Sequence, residues 1–408
     1  MEFNKYVQIA GVLETIKEIE EYLSSKEEKL VYESCMQVME DLFSGIMEIN
    51  EMLFFNKTIL PNKAAESISN TLVNQTELDV MLEECRKWRE FVGEIINNRY
   101  HQKNKCDEKF ASIIDYARYV DKNMIIQNIV KNLESKNEEE QYCIQGYYHK
   151  FSRLWGILDL DEKKYDVIID RINNLTDHVN DFQWLYDNLG DYRSKVVLVG
   201  ILNYWIDYNP GEIIKFKEAN FDDYYDYDLL DFSEEEVVVD LGAYTGDSAM
   251  SFIENYGKYK SIYCYEITPS TVEILKKNLA DYPNVHIKNK GAGSKNCNMY
   301  FNDFEDFSCN NLKEDGGIPI EVVAIDDDIT EKITFIKMDI EGAEQDALLG
   351  CKRHIVEERP KLAICVYHNN EDIWKIPRMI REIRSDYKLY LRSNGIQWGP
   401  SEIVAFGL

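Results

Sequence analysis

The amino-acid sequence predicts an α/β fold, a doubly wound parallel sheet in the C-terminal part, preceded by an all-α region. Two observations predict it. From residue 236 onward, short β-branched runs alternate with stretches of helical periodicity, whereas earlier apolar residues recur at helical spacing without strand alternation. The chain has 408 residues, 45% of them hydrophobic, which suits two or three domains at about 150 residues each.

The composition argues against several classes of protein. Acidic side chains outnumber basic ones by 74 to 46, and the formal net charge of −28 repels phosphate backbones and anionic lipids. No stretch approaches the ~20 apolar residues that span a bilayer, and residues 1–17 lack the pattern of a signal peptide. We expect a cytoplasmic protein that binds neither nucleic acid nor a membrane.

The nine cysteines are scattered and include no CxxC pair, which argues against a disulfide framework and against a zinc knuckle. Five of the six histidines show no ligand spacing either. Only His368, which follows an apolar run, is a candidate for chemistry.

The first third of the chain has the pattern of packed helices, so we expect residues 1–135 to form a helical bundle domain. We interpret Cys85 and Trp88, on one apolar stripe, as core residues rather than as the wall of a ligand pocket. The apolar runs at steps of three and four are Val12, Ile16, Ile19 and Leu23; Val31, Cys35, Val38, Leu42 and Ile49; Leu78, Cys85, Trp88, Val92 and Ile95; and Phe110, Ile114 and Ala117.

A short, charge-rich segment, residues 134–141, is the strongest candidate for a domain boundary. After it, residues 142–235 predict a helical connector or cap, with helices through 154–158, 167–175 and 184–206. Residues 221–228 alternate carboxylates with tyrosines, which we interpret as a solvated connector with its rings tucked inward rather than as a site for a metal or a cationic ligand. The third domain is residues 236–408, and we expect residues 142–408 to fold without the bundle.

The sequence of the third domain predicts strands that alternate with helices. The second of its helices begins at Thr268 and Pro269, a good N-cap followed by a good first helical residue. Because the carboxyl ends of parallel strands meet at one edge, a ligand cleft is expected there. The strand candidates are residues 237–239, 261–266, 285–289, 333–339, 361–367, 387–391 and 402–406, and the helix candidates are residues 249–256, 269–279, 347–355 and 373–383.

The turn after the first of these strands suggests which nucleotide it binds. A dinucleotide site needs glycine where this chain has Asp240, so a nicotinamide oxidoreductase is disfavoured. A carboxylate there suits a cofactor with an ammonium or sulfonium group, and Gly242 and Gly246 let the backbone approach an adenosine and a methionine tail. Glu266, at the end of the next strand, can bind both hydroxyls of a ribose. The alternative is an ordinary strand-to-helix connection.

Three segments resemble the FkbM-type S-adenosylmethionine-dependent methyltransferases: VVVDLGAYTGDS at 237–248, IKMDIEGAEQDALLG at 336–350 and RPKLAICVYHNNEDIWKIP at 359–377. The resemblance covers residues 224–408. It implies a seven-stranded Rossmann-like methyltransferase sheet whose last strand is antiparallel. It also implies S-adenosylmethionine as cofactor and methyl transfer to a hydroxyl, often of a sugar, polysaccharide or natural product.

The resemblance also implies the residues that contact the cofactor. Family members commonly have a Glu-Pro pair after the second strand, where this chain has Glu266 and, three residues later, Pro269, so the acid is present but the turn is longer. The implied contacts, the last two near the adenine, are Asp240, Gly242, Ala243, Tyr244, Thr245, Gly246, Asp247, Glu266, Gly291 and Ala292.

Three side chains at strand ends are the candidates for the chemistry, namely Asp339, Glu341 and His368. A carboxylate there can hold the acceptor hydroxyl, act as base or bind Mg²⁺, and a histidine of ordinary pKa can accept a proton near neutral pH. Each has a structural alternative, because acids are favoured in a first helical turn and Lys337 is positioned to pair with Asp339.

A second hypothesis is a catalytically inactive, methyltransferase-like scaffold that works through its helical domain. The intact glycine turn, Glu266 and Asp339 favour an enzyme that acts on a small-molecule or glycan acceptor. The helical domain contains no chemical motif, so we expect it to mediate homo-oligomer formation or to present a large acceptor.

Overall fold

The computed structural model describes residues 105–209, 224–301, 312–313, 315–393 and 399–408. The chain divides into two compact units, Met1–Lys105 and Cys106–Leu408, and only the second is described here. The helical runs expected before residue 105 lie outside the described residues. No helix among the described residues is long and apolar enough to span a membrane.

Helices fill the first part of the described unit. Asp121 and Asn137 cap the second and third of them, because their side chains accept hydrogen bonds from backbone amides of the first turn. In chain order these elements are α1 (105–119), α2 (Lys122–Glu134), α3 (Glu138–Lys150), α4 (Ser152–Trp155), β1 (Leu158–Asp159), β2 (Lys164–Tyr165), α5 (Asp166–Asp177), α6 (Val179–Asn188) and α7 (Tyr192–Asp207).

The polar segment at 134–141 spans the end of α2, a three-residue turn at 135–137 and the start of α3, and it does not separate two cores within the described residues. Helix α2 packs against α5 and α7 through buried residues that include Ile125 and Leu133. Phe110 of α1 stacks on Tyr186 of α6 with ring centroids 3.8 Å apart. The compact unit therefore begins at Cys106 rather than after residue 135.

The second part of the unit is built on the expected seven-stranded sheet, in the order β12-β13-β11-β10-β3-β4-β5. Five strands from β11 to β5 are parallel, and β13 runs antiparallel to both of its neighbours. This confirms the Rossmann-like methyltransferase sheet. Its strands are β3 (Val237–Leu241), β4 (Ser261–Tyr265), β5 (Val285–Lys288), β10 (Phe335–Met338), β11 (Lys361–Cys365), β12 (Leu389–Ser393) and β13 (Ile403–Gly407).

Helices on the two faces of the sheet connect these strands. Thr268 and Pro269 begin the second connecting helix as expected. The expected helix through residues 347–355 is instead two helices that meet at Cys351. Gly350, the last residue of the first of them, packs directly against the backbone of Gly293. The connecting helices are α8 (Asp247–Tyr256), α9 (Pro269–Asn278), α10 (Ile325–Asp328), α11 (Glu344–Gly350), α12 (Lys352–Glu358) and α13 (Asp372–Ile383).

A second, four-stranded sheet was not expected from the sequence. It buries Phe301, Ile320 and Val322 between its strands and the main sheet's connecting segments. Two of its strands have only two residues each, too short for any periodicity, and Pro319 inside a third argued against a strand. Its order is β6-β9-β7-β8, with strands β6 (Gly291–Ala292), β7 (Cys297–Phe301), β8 (Leu312–Lys313) and β9 (Ile318–Val323).

The helical layer is joined to the edge of the main sheet by a buried arginine. Arg392 of β12 donates to Asp191, at 2.6 Å, and to Asp226, at 2.5 Å, and it also donates to Ser194 at 3.0 Å. The amide of Gly190 donates to the carbonyl of Leu389 at 2.8 Å. The helical layer and the main sheet therefore belong to the same compact unit.

This shared core changes the expectation for truncated chains. A fragment of residues 142–408 loses α1 and α2, with the buried side chains of Phe110, Ile114, Ile125, Ile129 and Leu133. At about 1.5–3 kcal/mol per buried apolar side chain, the loss is of the same order as the whole stability of a domain. We expect residues 106–408 to unfold cooperatively and residues 142–408 to be insoluble or molten, as measured by circular dichroism and thermal unfolding. A fragment 142–408 as stable as 106–408 would contradict this.

Candidate functional site

A cleft of about 280 Å³ lies at the carboxyl ends of β3, β4 and β10. Parallel sheets of this kind bind ligands at that edge. Six of the ten residues expected to contact a cofactor line it, and so do Asp339 and Glu341 of the expected chemical site. The six are Gly242, Tyr244, Asp247, Glu266, Gly291 and Ala292.

The glycine turn has a backbone that only glycine adopts without strain. Gly242 and Gly246 have φ angles of +79° and +92°. A Cβ atom on Gly242 would lie 1.8 Å from the carbonyl oxygen of Asp339, so the turn packs directly against the end of β10. The amides of Gly242 and Ala243 both donate to the carbonyl of Tyr265, which fixes the turn to β4.

Asp240 does not line the cleft, contrary to its expected role as a direct contact of the cofactor's positive group. Its buried carboxylate is 3.0 Å from the Nζ atom of Lys337 and accepts a hydrogen bond of 2.5 Å from the Ser248 hydroxyl. Lys337 also donates to the carbonyl of Gly242 at 2.7 Å. Burial opposes the charge of Lys337, but Asp240 and Asp339 raise the pKa of this ammonium above its ordinary value.

Three other expected contacts lie behind the cleft wall. Ala243 is fully buried, and Gly246 packs beneath Leu275 of α9. The carbonyl of Thr245 accepts a hydrogen bond from Asn278 at 2.8 Å. These residues shape the turn, and the wall itself is formed by their neighbours.

Glu266 is held in one orientation at the end of β4. One carboxylate oxygen accepts from the amide of Tyr244 at 3.1 Å, and the other accepts from the amide of Thr268 at 2.7 Å. Burial raises the pKa of Glu266, while these amide donors oppose the rise. The side chain of Thr268 also hydrogen-bonds to this carboxylate, which lines the cleft, where a ligand can donate to it.

The three candidates for the chemistry lie close together in space. Asp339 and Glu341 follow β10, His368 follows β11, and one ligand-type atom of each lies within 4.8 Å of the others. The Nε2 atom of His368 is 3.3 Å from Oδ1 of Asp339 and 3.9 Å from Oε2 of Glu341. On the far side of the ring, Nδ1 is 2.8 Å from the buried carboxylate of Glu344.

The charge state of His368 differs from the one expected. Burial alone would lower its pKa, but the carboxylates of Glu344, Asp339 and Glu341 raise it to about 10. The ring is therefore protonated at neutral pH when these carboxylates are ionised, and it is not a free base. Burial, together with the neighbouring carboxylates, raises the pKa of Glu341 to about 8, whereas His368 and Lys337 hold the pKa of Asp339 below its usual value.

Tyr224 belongs to the cleft and was missed, because it was assigned to the solvated connector at 221–228. Its hydroxyl donates to Oδ2 of Asp339 at 2.6 Å, and the Nζ atom of Lys337 lies 4.7 Å from the centre of its ring. Two further wall residues, Tyr367 and Glu402, were also missed. The alternation of acids and tyrosines was visible in the sequence. Spacing alone cannot show that the Tyr224 ring contacts the end of β10, more than 100 residues later in the chain.

The helical layer contacts the cleft through Trp155. Its indole Nε1 donates to the backbone carbonyl of Tyr367 at 2.8 Å, and Tyr367 lines the cleft. The layer therefore supports the wall on the side where the chemical site lies.

Comparison with known proteins identifies the C-terminal part of the chain. A family model described as a methyltransferase FkbM domain matches residues 240–395. The crystal structure of a methyltransferase FkbM from Methylobacillus flagellatus KT matches with 27% identity and a TM-score of 0.52, covering 64% of this chain and 70% of that one. No curated protein matches the chain.

More distant solved structures include an rRNA methylase from Streptococcus thermophilus, at 16% identity, covering 43% of this chain and 87% of that one. They also include a putative methyltransferase from Streptococcus mutans in complex with SAH, at 15% identity, covering 42% and 88% respectively. At TM-scores of 0.28, neither likeness supports an inference about this chain.

The close approach at Gly242 gives a direct test of the turn. Gly242→Ala places a Cβ on the Asp339 carbonyl at a strained φ, so we expect destabilisation by at least about 1–3 kcal/mol in thermal unfolding. Gly146→Ala is the matched control: it lies inside α3, its Cβ meets nothing within 4 Å, and we expect it to be neutral or stabilising. Equal melting temperatures for the two variants would contradict this geometry.

Proposed function

We propose that this chain, whose residues 240–395 are a methyltransferase FkbM domain, is an S-adenosylmethionine-dependent methyltransferase that methylates a hydroxyl oxygen of its acceptor. One observation carries the proposal. A single cleft has the fixed carboxylate of Glu266 on one side and the cluster of Asp339, Glu341 and His368 on the other.

The donor side of the cleft suits an adenosine with a methionine tail. The carboxylate of Glu266 lines the cleft, where the ribose hydroxyls can donate to it, and Gly242 leaves bare backbone beside it. Gly291 and Ala292, in the first strand of the small sheet, add a narrow apolar wall on which an adenine can pack. Two lysines line the cleft, but Lys337 is paired with Asp240 and Lys290 with Asp328, so both charges are already balanced where a dinucleotide's pyrophosphate would need them.

The acceptor side can hold and deprotonate a hydroxyl. In an in-line displacement, the acceptor oxygen bonds to the methyl carbon, the carbon–sulfur bond breaks to release S-adenosylhomocysteine, and the hydroxyl proton passes to a carboxylate. Asp339 is suited to that task because His368 and Lys337 keep it ionised and Tyr224 fixes its orientation. The role of His368 is to orient the carboxylates of the cluster and, as an imidazolium, to lower the pKa of Asp339.

The chemistry of this wall favours a neutral polyol over an anionic acceptor. Asp339 and Glu402 both face the cleft, and carboxylates accept hydrogen bonds from hydroxyls but repel phosphates and acids. We therefore propose a sugar, glycan or hydroxylated natural product as acceptor, acted on in the cytoplasm. Homo-oligomer formation through residues 1–135 stays a prediction.

The role of Glu266 can be tested by donor affinity. Glu266→Ala removes charged hydrogen bonds to the ribose, and we expect it to weaken binding of S-adenosylmethionine by roughly 1.5–3 kcal/mol, or about 10- to 150-fold in Kd. Isothermal titration calorimetry measures this, with the exposed Glu273→Ala as control. Unchanged affinity in Glu266→Ala would rule out the ribose contact.

The role of Asp339 can be tested by turnover. Asp339→Asn keeps the shape of the side chain but removes its charge, so we expect donor binding to persist while turnover falls about 10²-fold or more. The assay follows release of S-adenosylhomocysteine with a panel of sugars and small alcohols, and the exposed Asp281→Asn is the control. If Asp339→Asn turns over like the control, the chemical site is elsewhere.

A further inference from the structure

Three of the buried polar atoms of the cluster beside the cleft converge, and none of the three makes a hydrogen bond of good geometry. They are Oδ1 of Asp339, Oε2 of Glu341 and Nε2 of His368. His368 is 1% exposed, and its Nε2 points between the two carboxylates. Nε2 and Oδ1 are close enough for an ion pair, but three buried polar atoms that converge without a well-formed hydrogen bond also suit a bound ion.

We propose that Asp339, Glu341 and His368 bind a divalent transition-metal ion, and that Glu344 is the positioning residue behind the histidine. Ligand atoms that share an ion at about 2.0–2.2 Å are at most roughly 4.4 Å apart. The Nε2 atom lies 3.3 Å from Asp339 and 3.9 Å from Glu341, within that limit. The proposed methyl transfer does not need this ion, so the inference goes beyond it; the ion would displace the proton that Nε2 of His368 carries in the metal-free protein.

The surroundings of the three residues orient each ligand atom towards a common point. Glu344 is fully buried, faces Nδ1 of His368 at 2.8 Å and also accepts from the amide of Ile340. A carboxylate behind the ring is the usual partner of a metal-bound histidine, because it fixes the tautomer that leaves Nε2 free. Tyr224 occupies Oδ2 of Asp339 and leaves Oδ1 for the ion.

The backbone turns sharply at Glu341. Glu341 has a φ angle of +56°, an uncommon conformation for a residue other than glycine, and Gly342 follows at +98°. These two residues turn the chain so that the side chain of Glu341 lies beside that of Asp339, which precedes it by two positions.

The donor set indicates which ion. Two carboxylates and one imidazole favour Mn²⁺, Fe²⁺ or Zn²⁺, whereas Mg²⁺ prefers oxygen ligands alone. The Mg²⁺ considered from the sequence is therefore replaced by a transition metal. Asp339 and Glu341 line the cleft while His368 lies behind them, so the open side of the ion faces the cleft.

The test uses full-length protein stripped of metal with a chelator and titrated with Mn²⁺, followed by electron paramagnetic resonance. We expect one Mn²⁺ per chain, displaced by Zn²⁺ at far lower concentration than by Mg²⁺. His368→Gln and Glu341→Gln should abolish saturable binding, and Glu344→Gln should weaken it about 10- to 100-fold at unchanged stoichiometry. The exposed Glu273→Gln is the matched control and should bind like wild type.

Circular dichroism and thermal unfolding show which variants are folded. If His368→Gln does not fold, Glu341→Gln is used as the test variant instead. The proposal is overturned if wild-type protein shows no saturable Mn²⁺ signal, or if folded Glu341→Gln binds as wild type does. The imidazolium would then be the only cation in the cluster. Titration of the metal-free protein with S-adenosylmethionine separates the two proposals. Donor binding without metal binding overturns only the metal site, and the reverse overturns only the proposed function.

Discussion

The buried ion pair between Asp240 and Lys337 is the interaction on which the cleft depends. It joins the ends of the central strands β3 and β10, and the same ammonium donates to the carbonyl of Gly242. Because neither side chain is exposed, removing one partner would leave an unpaired buried charge, at a cost of about 3–5 kcal/mol. The pair therefore fixes the glycine turn in the position where its bare backbone forms the donor side.

The ammonium of Lys337 also connects the two sides of the cleft. It lies 4.7 Å from the centre of the Tyr224 ring, it lowers the pKa of Asp339, and Tyr224 in turn donates to that carboxylate. In a protein of net charge −28, whose cleft is lined by several acids, this cation balances charge at the point where the acids converge. The side chain of Lys337 therefore couples the glycine turn on the donor side to Asp339 at the chemical site.

The sequence predicted what local patterns determine. The β-branched run at Val237, the N-cap at Thr268, and the convergence of Asp339, Glu341 and His368 follow from periodicity, capping and the geometry of parallel strands. The partner of Lys337, the raised pKa of His368 and the place of Tyr224 in the cleft did not follow, since each depends on contacts between distant segments. The start of the compact unit at Cys106 was missed for the same reason: a polar turn looks alike between domains and within one.

The central claim is that one cleft holds the donor between Glu266 and the cluster at Asp339. A crystal structure of the protein with S-adenosylhomocysteine tests it most directly. The account predicts that both ribose hydroxyls bind the carboxylate of Glu266, that the amino-acid part lies along the backbone of Gly242, and that the thioether sulfur faces Asp339. A ligand bound elsewhere, or bound here with its ribose away from Glu266, would contradict it.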